Sequence, residues 1–103
     1  MKLFGKLFFI LFSTILVLNC GQFNDNDSHV REMISHRSLG LAYLEEGELT
    51  AAAGEFQQLI ETAPKEALGY ANLGLTYLRM GEFEEAERQV RDAIKRDKNN
   101  PNI

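Results

Sequence analysis

Two histidines and a glutamate are the residues best suited to metal chemistry in this chain. His29, Glu32 and His36 are spaced i, i+3 and i+7, which places all three on one face of a helix. Imidazole and carboxylate groups can form a zinc site, but no fourth ligand or general base lies nearby in the sequence. We therefore predict that His36 is a partly buried structural residue and that the chain is not an enzyme and holds no metal or cofactor.

Cys20 is the only cysteine among the 103 residues, so an intramolecular disulfide is excluded. It follows an uncharged apolar run, residues 7–18, that is preceded by Lys2 and Lys6. This order is typical of a secretory signal peptide, and the run is shorter than the roughly 20 residues that a membrane-spanning helix needs. The sequence therefore predicts an export signal over residues 1–19.

The end of this segment resembles a bacterial lipoprotein signal peptide. Val17 and Leu18 match the aliphatic positions before the modified cysteine, whereas Asn19 replaces the small residue that is usual there. The resemblance implies that Cys20 becomes the N-terminus and carries the lipid, including a palmitate-type acyl chain. A signal anchor or an ordinary cleaved signal peptide is the alternative.

The charge balance argues against nucleic acid as a partner. Residues 1–19 contain two of the 11 basic residues and none of the 15 acidic ones, so the remaining chain carries a formal charge of −6. A basic patch is therefore not expected. Residues 20–32 begin with a polar stretch that predicts a flexible tether leading into the start of a helix.

A repeat of 34 residues organises the rest of the chain. Leu39-Gly40-Leu41 aligns with Leu73-Gly74-Leu75, and Tyr43-Leu44 aligns with Tyr77-Leu78. The pattern resembles the tetratricopeptide repeat (TPR). It falls in residues 33–66 on His36, Leu39, Gly40, Tyr43, Gly47, Ala52, Phe56, Leu59 and Pro64, and in residues 67–100 on Tyr70, Leu73, Gly74, Tyr77, Gly81, Ala86, Val90, Ala93 and Lys98.

The expected fold is all-α: a TPR-type helix-turn-helix solenoid of two repeats, or four helices, after the signal peptide and tether. Asp27 or Ser28 can cap the first helix, Gly47 and Gly81 can end the first helix of each repeat, and Pro64 stops the second helix. Gly40 and Gly74 lie within helices, which predicts close helix crossings. Residues 101–103 resemble the start of a third repeat.

In this family the first helix of each repeat lines a concave groove that binds a partner peptide or helix. Carried over by position, the groove residues are Ile34, Arg37, Ser38, Leu41, Leu44 and Glu45 from one repeat, and Leu68, Ala71, Asn72, Leu75, Leu78 and Arg79 from the other. Leucines at helical spacing are more often core residues than ligand contacts. Only the geometry of the family therefore favours assigning these leucines to the groove. Arg37 could bind a carboxylate and Asn72 a peptide backbone.

These expectations describe a lipoprotein of the cell envelope that binds another protein, in envelope assembly or pilus biogenesis. Gly21 replaces the aspartate that retains many lipoproteins in the inner membrane, which favours the outer membrane. Val90, Ala93 and Ile94 of the last helix have no following repeat to cover them. The alternatives are therefore a self-associating structural adaptor or the N-terminal part of a longer TPR protein.

Overall fold

The computed structural model describes residues 24–98, and this part of the chain folds into four helices. These are α1 (Asp25–Glu45), α2 (Leu49–Thr62), α3 (Ala67–Met80) and α4 (Phe83–Asp97). The helices form two consecutive hairpins, and each helix packs against the next along the chain. The all-α prediction is confirmed. The predicted signal peptide, Cys20 and residues 101–103 lie outside the described residues.

Two glycines end the first helix of each hairpin in the same way. Gly47 and Gly81 both adopt a left-handed conformation with φ of 78°. The following N–H groups reach back to the helix, from Glu48 to the Tyr43 carbonyl at 2.9 Å and from Glu82 to the Tyr77 carbonyl at 2.9 Å. These bonds satisfy carbonyls that the helix end leaves unpaired, so the predicted glycine stops are confirmed.

The start of α1 differs from the prediction. The helix begins at Asp25, with Asn24 as the N-cap residue and no side-chain capping hydrogen bond. Ser28 lies one turn inside the helix, where its hydroxyl donates to the Asp25 carbonyl at 2.8 Å. The proposed capping by Asp27 or Ser28 is therefore wrong, because a serine hydroxyl within a helix can bond to a carbonyl of the preceding turn.

The core is shared by the two hairpins. Its buried members are contributed by α1, α2 and α3, and they are Leu44, Ala52, Ala53, Phe56, Leu59 and Leu73. Phe56 is completely buried at its centre. Burial of a large apolar side chain stabilises a fold by roughly 1.5–3 kcal/mol. Leu73 belongs to the second repeat, so the first repeat completes its core with a residue from its neighbour.

Gly40 and Gly74 mark close helix crossings, as predicted. A Cβ atom on Gly40 would lie 2.5 Å from the Phe56 ring, and one on Gly74 would lie 2.9 Å from Val90 Cγ2. Both distances are shorter than ordinary van der Waals contact. The absence of a side chain therefore lets α1 approach α2, and α3 approach α4.

The outer face of α4 is covered with ion pairs. Arg91 pairs with Glu87 at 2.6 Å and Arg96 with Asp92 at 4.0 Å, as the spacing predicts. Arg88 pairs with Glu85, three residues earlier, at 3.3 Å, although Glu84 four residues earlier is also within reach along the helix. Both choices are one helical turn away, so side-chain geometry decides between them.

Within residues 24–98, none of the helices has the length and apolar character required to cross a membrane.

Candidate partner-binding surface

A small pocket lies between the first helices of the two repeats. It has a volume of about 130 Å³. Ile34 and Arg37 of α1 line one side and Leu68 of α3 lines the other. The structure thus brings together three of the predicted groove residues, from both repeats. Sequence reasoning missed the rest of the lining, which consists of Met33, Leu59, Glu66 and Gly69.

The pocket is apolar, with one charge of each sign in its lining. Ile34 and Leu68 are exposed aliphatic residues, and Arg37 and Glu66 are exposed charged residues of opposite sign. Gly69 also lines the pocket and packs closely against α2, because a Cβ there would lie 3.0 Å from Ile60 Cγ1. Such a site can accept an apolar side chain and pair with a polar or charged neighbour of it.

The remaining predicted residues of α1 divide between surface and core. Ser38, Leu41 and Glu45 are exposed, as a groove requires. Leu44 is only 6% exposed and belongs to the shared core. Its assignment to the groove is therefore corrected: α2 and α3 cover this leucine, so its role is packing.

The predicted residues of α3 line a larger groove with α4. Ala71, Leu75 and Leu78 face Phe83 and Val90 across a volume of about 430 Å³. Gly74, Ala86, Glu87 and Arg91 complete its lining. Sequence reasoning did not assign α4 residues to a groove, because the family geometry places the groove on the first helix of each repeat.

Two polar residues of α3 make contacts that the sequence did not predict. Arg79 Nη1 donates to the Leu44 carbonyl at 3.4 Å, and this bond links the second repeat to the end of α1. Asn72 is half-buried, and its backbone carbonyl accepts a 2.8 Å hydrogen bond from the Thr76 hydroxyl. Arg79 therefore connects the repeats as well as facing the surface.

His36 is half-buried and connects α1 to α2. Its Nδ1 lies 2.7 Å from Glu55 Oε2, and its Nε2 lies 3.8 Å from Glu32 Oε1. His29 is exposed near the start of α1. Among residues 24–98, no three His, Cys, Asp or Glu side chains form a group that could hold a metal ion. Glu55, which the sequence analysis did not single out, is the close partner of His36.

Comparison with known proteins identifies the family. The family model described as "Tetratricopeptide repeat" matches residues 43–103, more than half of the chain. The chain therefore belongs to the tetratricopeptide repeat family. No curated protein and no solved structure matches it. Repeats of this family typically serve as non-catalytic modules for protein–protein interaction.

Proposed function

We propose that this protein is a membrane-anchored interaction module whose first helices bind a peptide or helix of a partner protein. The observation that supports this function best is the pocket in which Ile34 and Arg37 of one repeat meet Leu68 of the next. A pocket built by two repeats depends on their packing, which suits it to recognise a folded or extended segment that spans both helices.

The side chains of the pocket indicate the chemistry of the partner segment. Ile34 and Leu68 offer apolar contact area, which favours an aliphatic or aromatic side chain as the anchor. Arg37 presents a planar guanidinium that can bind a carboxylate through two parallel hydrogen bonds. We therefore expect a segment that has one apolar anchor and an acidic residue beside it.

A photoreactive amino acid at position 68 tests this proposal. Substituted for Leu68 in the full chain and irradiated in the producing cells, it should give one discrete adduct with a partner protein. Arg37→Ala in the same chain should weaken that adduct. The matched control places the same photoreactive residue at exposed Gln58 of α2, outside the pocket. Equal labelling from both positions, or no adduct from position 68, would contradict the groove.

The membrane anchor is a separate part of the proposal. Thioether attachment of a diacylglyceryl group at Cys20, with a further acyl chain, would hold the repeats at a membrane surface, because more than one chain makes anchoring stable. The outer membrane of the cell envelope is the preferred location, in envelope assembly or pilus biogenesis. Cys20→Ala should move the protein from the membrane fraction to the soluble fraction. Mass spectrometry of the wild-type N-terminus should find the lipid, and an unmodified Cys20 would reject the anchor.

Self-association is the second candidate function, and a specific observation favours it. Phe83 and Leu78 are each more than half exposed on the side of the second repeat that faces away from the first. Large apolar side chains grouped on one surface mark an interaction site. Copies of this chain that associate through this surface would form a structural adaptor at the membrane.

A further inference from the structure

The second repeat exposes the residues that the first repeat buries. Leu78 is 52% exposed, whereas Leu44, 34 residues earlier, is 6% exposed. Val90 is 44% exposed, whereas its equivalent Phe56 is fully buried. Phe83 and Ile94 are exposed too, and their equivalents Leu49 and Ile60 are partly buried against the core. We call the surface formed by Leu78, Phe83, Val90 and Ile94 the tail edge.

In the first repeat, helix α3 covers the surface that corresponds to the tail edge. Leu73 of α3 is 2% exposed and lies in the cluster with Leu44 and Phe56. Tyr77 packs against the same cluster, and Gly69 lies against Ile60. The tail edge therefore has the shape of a surface that accepts a helix with small residues and a leucine along one side.

Helix α1 presents that pattern at the opposite end of the molecule. Ser35, Leu39 and Ala42 are the equivalents, 34 residues earlier, of Gly69, Leu73 and Thr76. All three are exposed, and Leu39 is 44% exposed where Leu73 is buried. We call the surface formed by Ser35, Leu39 and Ala42 the head edge. The two edges thus correspond to the two halves of the interface that already joins α2 to α3, except that Ser35 adds a side chain where Gly69 lies against Ile60.

Charges near the junction are complementary in the same arrangement. The last turn of α4 contains Lys95 and Arg96, the equivalents of Glu61 and Thr62 at the end of α2. Glu32 of α1 is the equivalent of Glu66, which directly precedes α3. A copy of α1 placed on α4 as α3 lies on α2 would therefore bring Glu32 near Lys95 and Arg96, and opposite charges attract.

We infer that the head edge of one copy docks on the tail edge of a second copy and continues the α2–α3 interface between molecules. The inference rests on the self-association proposed above and names the surfaces that associate. Because the two edges are different, the contact is heterologous: every added copy leaves a free head and a free tail. Open chains of copies are therefore expected instead of closed dimers.

Disulfide trapping tests the register directly. The contact between Gly69 and Ile60 becomes, between copies, a contact between Ser35 and Ile94. Two full-length chains in detergent micelles would carry Cys20→Ser together with either Ser35→Cys or Ile94→Cys. Oxidation of the mixture should give a disulfide-linked dimer of one chain of each kind, and oxidation of either chain alone should give none. The control chain carries Cys20→Ser and Gln58→Cys, and it should not cross-link to the Ile94→Cys chain.

The other outcomes overturn the inference in distinguishable ways. Dimers formed by the Ile94→Cys chain alone would show that two tail edges face each other, which rejects the head-to-tail contact but keeps self-association. If the mixture of cysteine variants forms no disulfide and the wild-type chain sediments as a monomer at every concentration, both the head-to-tail contact and self-association are rejected.

Complementation of blocked edges provides an independent measurement. Leu39→Glu should block the head edge and Leu78→Glu the tail edge, so either variant alone should sediment as a monomer. An equal mixture should form one-to-one dimers, because the first variant retains its tail and the second its head. Ala51→Glu adds a carboxylate at an exposed position of α2, outside both edges and the pocket, and should assemble as the wild type does. Failure of the mixture to dimerise would contradict the inference, with circular dichroism confirming that each variant is helical.

Discussion

Arg96 connects α4 to α3 and to the turn between the two repeats through one side chain. Its Nε donates to the Pro64 carbonyl at 2.7 Å, and its guanidinium carbon lies 3.6 Å from the centre of the Tyr70 ring. Its Nη1 also donates to the Asp92 carbonyl at 2.9 Å. The Tyr70 hydroxyl donates to the same Pro64 carbonyl at 3.0 Å. The turn between the repeats is therefore held by α3 and α4 together.

Arg96→Ala should lower the free energy of unfolding by about 2 kcal/mol, since it removes a charged hydrogen bond and a stacking contact. Arg96→Lys should recover only part of this, because an ammonium group lacks the planar fork that reaches Pro64 and stacks on Tyr70. Urea denaturation measures both. Arg88→Ala is the control, because its exposed ion pair with Glu85 is worth only about 0–1 kcal/mol. Equal losses for Arg88 and Arg96 would contradict the prediction.

At the scale of the helices, the sequence was sufficient where local chemistry decides the structure. The stops at Gly47 and Gly81 depend on backbone conformation, and the break at Pro64 depends on the missing N–H, so all three could be predicted. The start of α1 could not, because Asn24 makes no side-chain capping bond that would mark it. Because the cap is weak, the polar residues after Asn24 are as compatible with a flexible tether as with a helix.

Glycines within the helices provide a matched prediction. Gly40→Ala should lower the free energy of unfolding by about 1–3 kcal/mol, because the new methyl group would collide with the buried Phe56 ring. Gly54→Ala should raise it by about 1 kcal/mol, because no atom lies within 4 Å of its Cβ position and alanine favours the helix. Thermal and urea denaturation of both variants check this. A destabilising Gly54→Ala would show that Gly54 is a contact point.

The candidate surface could be predicted only in part, for a reason that lies between helices. Leu44 and Leu78 occupy the same position in their repeats and look alike in the sequence. One is buried because α3 packs over it, and the other is exposed because, within residues 24–98, no further helix follows α4. Helical periodicity identifies an apolar face, but it does not state which neighbour covers that face.

At the scale of the whole molecule, the two repeats share one core, so they should unfold together. Leu73→Ala removes a side chain of the second repeat from the core of the first and should lower the free energy of unfolding by about 2–5 kcal/mol. Leu39→Ala, the same change at the equivalent exposed position, should cost less than about 1 kcal/mol at low protein concentration. Circular dichroism and tyrosine fluorescence should report a single transition for each variant. Separate transitions would show independent repeats.

Stacking of copies would make stability depend on protein concentration, because a second copy binds the folded state and not the unfolded one. When the free chain concentration is ten times the Kd for docking, an occupied edge should add about 1.4 kcal/mol to the free energy of unfolding. The urea midpoint of the full chain should therefore rise with concentration. Leu78→Glu should remove this dependence, since it places a carboxylate where the docked helix would exclude water, while Ala51→Glu on the exposed face of α2 should keep it. The contradicting result is a wild-type urea midpoint that stays constant over the protein concentrations at which disulfide-linked dimers form. The trapped contact would then be too rare to stabilise the fold, and the tail edge would be an exposed surface of a monomer.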